Sequence, residues 1–133
     1  MSRRKARELA FKVLFQVDQV DADPHRAFKY LLQDTSMSEK DQVFSWDLIM
    51  GCLKYLADID NKITLLAKDW SLNRMSSIDR NIIRVAGYEI MFYEKSEPVV
   101  AIDEALEIAK KYGEKNSAAF INAILDKMLG AIK

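Results

Sequence analysis

Turn-forming residues are scarce in this chain, which has 4 glycines and 2 prolines among its 133 residues. All-β sandwiches and barrels need many tight turns, so both architectures are excluded. A Rossmann-type enzyme is excluded as well, because the chain lacks a G-x-G-x-x-G motif and has too few glycines for a phosphate-binding loop. The length is that of one domain, and half of the residues are hydrophobic, which is typical of a globular protein.

Apolar residues recur at helical spacing along almost the whole chain. From Ala6 to Val17 they fall at i, i+3, i+4, i+7, i+8 and i+11, which predicts one continuous apolar helix face. Ser2 can cap this first helix, and Pro24 prevents its continuation and suits the first turn of the next one. A second, short helix is expected over His25–Gln33.

Two capping boxes predict further helix starts, Ser38 with Asp41 and Ser76 with Asp79. We expect the long helix after Ser38 to break within residues 58–61, where polar residues cluster, and to resume as far as the mid-chain loop. Each box supplies a hydroxyl for a backbone N–H group that would otherwise lack a partner in the first helical turn.

The last third of the chain carries two more helix signals. Pro98 suits the first turn of a helix, and Gly113 is expected to end that helix in the left-handed conformation. Asn116 or Ser117 caps the last helix. The sequence therefore predicts an all-α fold of six to seven helices in two small three-helix-type bundles. We expect one domain over residues 1–133, with subdomains of roughly 1–71 and 72–133.

Composition excludes most cofactor chemistry. The single cysteine, Cys52, rules out an internal disulfide and a cysteine-based zinc site, and its apolar neighbours favour an inert thiol. The single histidine, His25, rules out a histidine cluster. No stretch approaches the roughly 18 apolar residues of a membrane span. We expect no metal, no cofactor, no membrane contact and a reducing cytoplasmic location.

Positive charge is concentrated at the N-terminus although the whole chain is formally neutral. Cations at a helix N-terminus oppose the helix dipole, so their presence there favours an anionic partner. Arginine offers a planar fork that matches phosphate, which favours a nucleic acid. The alternative is a solubilising helix end. Residues 1–12 sum to 5 − 1 = +4, from Arg3, Arg4, Lys5, Arg7 and Lys12 against Glu8.

Three further segments hold candidate RNA-binding residues, each with a structural alternative. Trp70 can stack on an unpaired base or pack in the core. Arg80 and Arg84 lie four residues apart on one helix face, and a buried ion pair is at least as good an interpretation of Arg84. Asp79 can pair with a neighbouring cation instead of serving a ligand.

The start of the last helix is the remaining candidate. Its free backbone N–H groups, near Asn116, Ser117 and Phe120, can hold a phosphate or a base edge, or the segment can serve as a simple cap. Asp103 and Glu104 are better explained as helix N-terminal charges than as an acid–base pair, because no histidine or catalytic motif accompanies them. We therefore expect no enzymatic activity.

Several of these segments together resemble the NusB family of bacterial transcription antitermination factors, in the family's order and over nearly the whole chain. The most recognisable helix is the run 100–113. The segments that carry the resemblance are Arg3–Glu8 with its continuation to Gln16, Trp70–Arg74, Ile78–Arg80, Arg84–Glu89, Ile102–Ala105, Ala109–Lys110, Ser117, Phe120–Asn122 and Leu125–Asp126.

The resemblance implies an all-helical fold that binds the single-stranded boxA element of nascent RNA. It also implies pairing with NusE, a small-subunit ribosomal protein, in a complex that makes RNA polymerase resistant to termination, notably on ribosomal RNA operons. Two departures from the family are Asn116, where an acidic residue is frequent, and Ala123, where glycine is frequent. The RNA-binding residues implied are Arg3, Arg4, Lys5, Arg7, Trp70, Asp79, Arg80, Arg84, Asn116, Ser117 and Phe120.

Two other functions remain open at this point. The same fold forms the N-terminal RNA-binding part of some ribosomal RNA cytosine methyltransferases, so the chain can be a stand-alone module related to it. A helical protein–protein adaptor is the other alternative, and it predicts negligible RNA affinity. The sequence also leaves open a homodimer, the RNA sequence preferred and the residues that contact NusE.

Overall fold

The computed structural model describes residues 2–68, 71–72 and 74–132, and within these ranges the chain forms seven α-helices and no strand. The all-α prediction is therefore confirmed. The helices are α1 (Ser2–Val20), α2 (Pro24–Leu32), α3 (Glu39–Lys54), α4 (Leu56–Leu66), α5 (Ser77–Met91), α6 (Pro98–Tyr112) and α7 (Ser117–Ile132).

Helix α5 is the centre of the molecule. Its residues 81–90 are all buried, and it contacts α1 and α3 on one side and α4, α6 and α7 on the other. One cluster of buried apolar side chains runs from α1 through α5 to α7. The division into subdomains 1–71 and 72–133 stays a prediction, since α5 packs on helices from both halves.

Both predicted capping boxes place their helix starts correctly. Ser38 Oγ accepts a hydrogen bond from the Asp41 N–H at 3.2 Å, and Ser76 Oγ accepts one from the Asp79 N–H at 3.0 Å. The second helix begins at Pro24, one residue before the expected start at His25. Proline suits this position because the N–H groups of a first helical turn have no carbonyl partner within the helix, so its missing N–H costs nothing.

The predicted break within residues 58–61 was wrong, since the chain breaks at Tyr55 instead. Tyr55 has φ −106° and ψ 20°, and its ring stacks on Phe92 with 4.2 Å between the centroids. The polar residues that suggested a loop lie inside α4. Asp60 among them pairs with Arg84 on α5 at 2.8 Å, so its polarity reflects a contact between helices.

The predicted left-handed conformation of Gly113 was also wrong. Its φ is −87° and its ψ is −174°, which is extended backbone. A Cβ at this position would lie 2.6 Å from both Cβ and Oγ of Ser117. Ser117 Oγ in turn accepts a hydrogen bond from the Glu114 N–H at 2.9 Å. Glycine is therefore needed here for the close approach of α6 and α7, and not for its backbone angles.

Candidate nucleic-acid interface

Three of the four predicted N-terminal cations reach solvent on the first turn of α1. Arg4 donates to both carboxylate oxygens of Glu104 at 2.8 and 2.9 Å, and this hydrogen bond holds the pKa of Glu104 below its usual value. The Arg3 guanidinium lies 4.1 Å from the centre of the Phe44 ring, with Asp41 at 3.6 Å. Both guanidinium groups are exposed, whereas Asp41 is buried and Glu104 is largely so. A phosphate can therefore approach the outer side of each arginine while its carboxylate stays in place.

Arg7 has different surroundings from its neighbours. Its side chain is 7% exposed and forms a bidentate ion pair with Glu89, whose side chain is 1% exposed. The distances are 2.8 and 2.9 Å, and Ser96 donates a further hydrogen bond to Glu89 at 2.7 Å. The Arg7 guanidinium is thus held inside the protein, between α1 and α5.

The two arginines of α5 are also engaged internally. Arg84 donates to both oxygens of Asp60 at 2.9 and 2.8 Å and is 8% exposed, which matches the buried ion pair offered as its alternative. Arg80 donates to Asp18 on α1 at 2.7 Å. Asp79 precedes Arg80 but turns the other way, toward the start of α7.

Four predicted residues meet in one cleft between the start of α5 and the start of α7. The cleft has a volume of about 410 Å³. One wall is the turn before α5 and the other is the α6–α7 turn. The residues that line it are Arg74, Met75, Ser76, Asp79, Glu114, Lys115, Asn116, Ser117 and Phe120. We call this the Phe120 cleft.

The Phe120 cleft combines the groups that single-stranded RNA recognition uses. Asp79 lines the cleft with a carboxylate, a group that accepts hydrogen bonds from the amino group of a base, and within the described chain its buried Oδ1 has no hydrogen-bond partner. Phe120 adds an aromatic side chain to the lining of the cleft, a residue type that single-stranded RNA sites use. Arg74 and Lys115 are exposed cations at the rim. Trp70, which the sequence also predicts here, lies outside the described residues.

A binding role for Lys12 or Lys111 was not predicted from the sequence. Lys5 and Lys12 line a second cleft, of about 320 Å³, between α1 and the end of α2. The amines of Lys12 and Lys111 lie 5.5 and 5.3 Å from the centre of the Tyr112 ring. The i, i+7 spacing of Lys5 and Lys12 was the available signal, since it places both on one helix face.

The exposed cations on the first turn of α1 and the Phe120 cleft lie at separate places on the surface. No described residue lines both the Phe120 cleft and the second cleft, beside Lys5 and Lys12. Helix α1 has 19 residues and is therefore about 28 Å long. Tyr112, the last residue of α6, packs against Phe11 of α1, so the lysines beside it lie between the two places. A ligand that contacts both ends must be an extended chain.

Comparison with known proteins identifies the fold. The NusB family profile matches residues 4–130 of this chain. The chain belongs to the NusB family. A NusB relative from Syntrophomonas wolfei, named a transcription antitermination protein, is 62% identical over 130 residues, which cover 98% of this chain and 97% of the relative. The resemblance drawn from the sequence is therefore confirmed.

Solved NusB structures agree with the architecture. NusB from T. maritima is 40% identical, with a TM-score of 0.88 over 96% of this chain and 90% of that one. A chain from a complex of the antitermination factors NusB and NusE with double-stranded RNA is 24% identical, with a TM-score of 0.89 over 98% of this chain and 97% of that one. At that identity the likeness establishes the NusB fold alone.

Two features are absent from the described part of this NusB-family chain. None of its helices has the length and hydrophobicity of a transmembrane span. No group of three or more histidine, cysteine, aspartate or glutamate side chains within it is arranged to hold a metal ion.

Proposed function

We propose that this chain is a transcription antitermination factor that binds boxA-type single-stranded RNA together with NusE. It thereby makes RNA polymerase resistant to termination, notably on ribosomal RNA operons. The observation that carries the proposal is the 62% identity, over nearly the full length, to a transcription antitermination protein. The protein acts by binding alone, without a chemical step, and it works in the cytoplasm.

The surface contacts suggest a path for the RNA. Phosphates contact the exposed cations Arg3, Arg4 and Lys5 at one end of α1, and Lys12 and Lys111 continue the positive charge along it. The chain then reaches the Phe120 cleft at the other end. Contacts of this kind make affinity fall steeply with salt.

Base recognition belongs to the Phe120 cleft. There an unstacked base lies beside Phe120 and donates to the Asp79 carboxylate, while Asn116 and the α7 backbone provide polar contacts. Trp70 stays a prediction for a second stacking residue. Arg7, Arg80 and Arg84 support the fold in this proposal, because their guanidinium groups already have internal partners.

A titration of labelled boxA-type RNA tests the proposed function. We expect saturable binding of the single strand, tighter binding when NusE is present, and weaker binding of a duplex and of a scrambled strand. The same protein at two salt concentrations should show reduced affinity at the higher one. Equal affinity for all three nucleic acids would reject sequence recognition, and no binding with or without NusE would favour a protein–protein adaptor.

A further inference from the structure

Asp18, near the end of α1, is a meeting point for three polar side chains. Its Oδ2 accepts hydrogen bonds from Arg80 Nη2 at 2.7 Å, from Arg80 Nε at 3.0 Å and from Asn81 Nδ2 at 3.0 Å. Arg84 lies 3.6 Å from the same oxygen. The Asp18 side chain is 20% exposed and that of Arg80 is 11% exposed, so solvent screens these contacts only in part.

The other edge of the Arg80 guanidinium points at a loop. Its Nη1 donates to the carbonyl oxygen of Leu72 at 3.0 Å and to that of Met75 at 3.2 Å. One planar group therefore joins a carboxylate on α1 to two backbone carbonyls ahead of α5. Lysine cannot replace it, because an ammonium lacks the fixed fork that reaches both sides at once.

The loop held in this way is a wall of the Phe120 cleft. Arg74, Met75 and Ser76 lie on that wall, and Met75 is itself one of the two residues whose carbonyl Arg80 holds. The opposite wall is the α6–α7 turn. Within the described residues, Arg80 donates no hydrogen bond to that turn. The width of the cleft thus depends on where Arg80 keeps the first wall.

We infer that Asp18 and Arg80 form a positioning pair for the RNA-binding cleft. Asp18 orients Arg80, and Arg80 holds the carbonyl groups of Leu72 and Met75, so that the cleft is already shaped to receive a nucleotide of single-stranded RNA. Neither side chain contacts the RNA. This inference rests on the proposed function, and it gives Arg80 a role different from the phosphate contact expected from the sequence.

Arg80→Lys is the direct test, because it keeps the charge and removes the fork. Asp60→Asn is the matched control, since Asp60 pairs with Arg84 at similar exposure but makes no described contact with the loop. We expect Arg80→Lys to weaken binding of boxA-type RNA about tenfold, and Asp60→Asn to change it less than about twofold. The slope of log affinity against log salt should stay at the wild-type value in Arg80→Lys, because no phosphate contact is lost.

Hydrogen exchange gives a readout that does not depend on RNA. Amides of Leu72, Arg74, Met75 and Ser76 should exchange faster in Arg80→Lys and in Asp18→Asn than in Asp60→Asn, when all three are compared at equal stability. Asp18→Asn serves as the second variant should Arg80→Lys fail to fold, which circular dichroism will show. We expect it to weaken RNA binding in the same direction, because a neutral amide holds Arg80 less firmly than a carboxylate.

Three results would overturn the inference, and they differ from one another. Folded variants that bind RNA as the wild type does would show that the loop needs no support from Arg80. A shallower salt slope for Arg80→Ala than for the wild type, by about 0.7 per lost phosphate contact, would show that Arg80 contacts the RNA backbone itself. A wild-type protein that binds no RNA would overturn the proposed function, and the positioning role with it.

Discussion

Arg4 and Arg7 lie less than one turn apart on α1 but have opposite surroundings. Arg4 reaches solvent, and its pair with Glu104 is exposed on the arginine side. Arg7 is enclosed with Glu89 between two helices. Arg4 is therefore accessible to a further anionic partner, whereas the contact of Arg7 with Glu89 is fixed in the interior. The two residues are neighbours at i and i+3, so the difference follows from the partner that each one meets, Glu104 near the surface or Glu89 in the interior.

Removal of the Arg7 partner is expected to destabilise the protein strongly. Glu89→Ala leaves a buried guanidinium without its carboxylate, which lowers the free energy of unfolding by about 3–5 kcal/mol. Glu104→Ala is the control, because it removes a carboxylate from an arginine that stays hydrated, and its loss should be much smaller. Urea denaturation followed by circular dichroism measures both. Equal losses for the two variants would contradict the assignment of Arg7 to the interior.

Asp18 gives the stability a specific dependence on pH. Burial raises the pKa of Asp18, but hydrogen bonds from Arg80 and Asn81 and the nearby positive charges outweigh it, so the pKa is lowered overall. A carboxylate with a lowered pKa stabilises the folded state above its unfolded pKa of about 3.9, and this contribution is lost as the pH falls further.

Asp18→Asn should therefore cost more at neutral pH than in acid. We expect it to lower the free energy of unfolding by about 1–2 kcal/mol near pH 7, where the wild-type carboxylate accepts charged hydrogen bonds. The difference should shrink as the pH falls below about 4, because the wild-type side chain then becomes neutral too. Urea denaturation from pH 7 to pH 3 measures it, and a difference that grows toward low pH would contradict the account.

At the scale of elements, two helical glycines make a matched pair. Gly51 in α3 faces Tyr88 of α5, and a Cβ added there would overlap the Tyr88 ring. Tyr88 in turn lies within the ring cluster of Tyr55 and Phe92. Gly130 in α7 has open space around the same position. One glycine is required by packing, and the other is not.

Alanine substitutions separate the two cases. Gly130→Ala should raise the free energy of unfolding by about 0.5–1 kcal/mol, since alanine favours a helix over glycine. Gly51→Ala should lower it by about 1–3 kcal/mol, because the Tyr88 ring must move out of its cluster. Thermal and urea unfolding of both variants provide the measurement. A stabilised Gly51→Ala protein would mean that α3 and α5 pack less closely than described.

Local signals were enough to predict most helices. Ser38, Ser76 and Pro98 mark helix starts through contacts within a few residues, so the sequence alone locates them. The break at Tyr55 was not predictable in this way, because its ring stacks on Phe92, 37 positions along the chain. The break predicted near Asp60 was wrong for the same reason. The partner that explains its polarity, Arg84, lies on another helix.

At the scale of the whole molecule, the candidate interface was predicted only in part. Motifs pointed to Asp79 and to Asn116, Ser117 and Phe120 separately, and only the packing of α5 against α7 brings them to one cleft. The sequence could not tell which arginines remain exposed, because the partner of Arg7 is 82 positions away. Charge at the N-terminus predicts a partner, whereas tertiary structure selects the residues available to it.

The central claim is that exposed cations on the first turn of α1 contact the RNA backbone. A variant with Arg3, Arg4 and Lys5 all changed to alanine tests it most directly, in a titration of boxA-type RNA over a range of salt concentrations. We predict weaker binding and a slope of log affinity against log salt that is shallower by about 2, with helicity by circular dichroism unchanged. A folded variant with wild-type affinity and slope would contradict the claim.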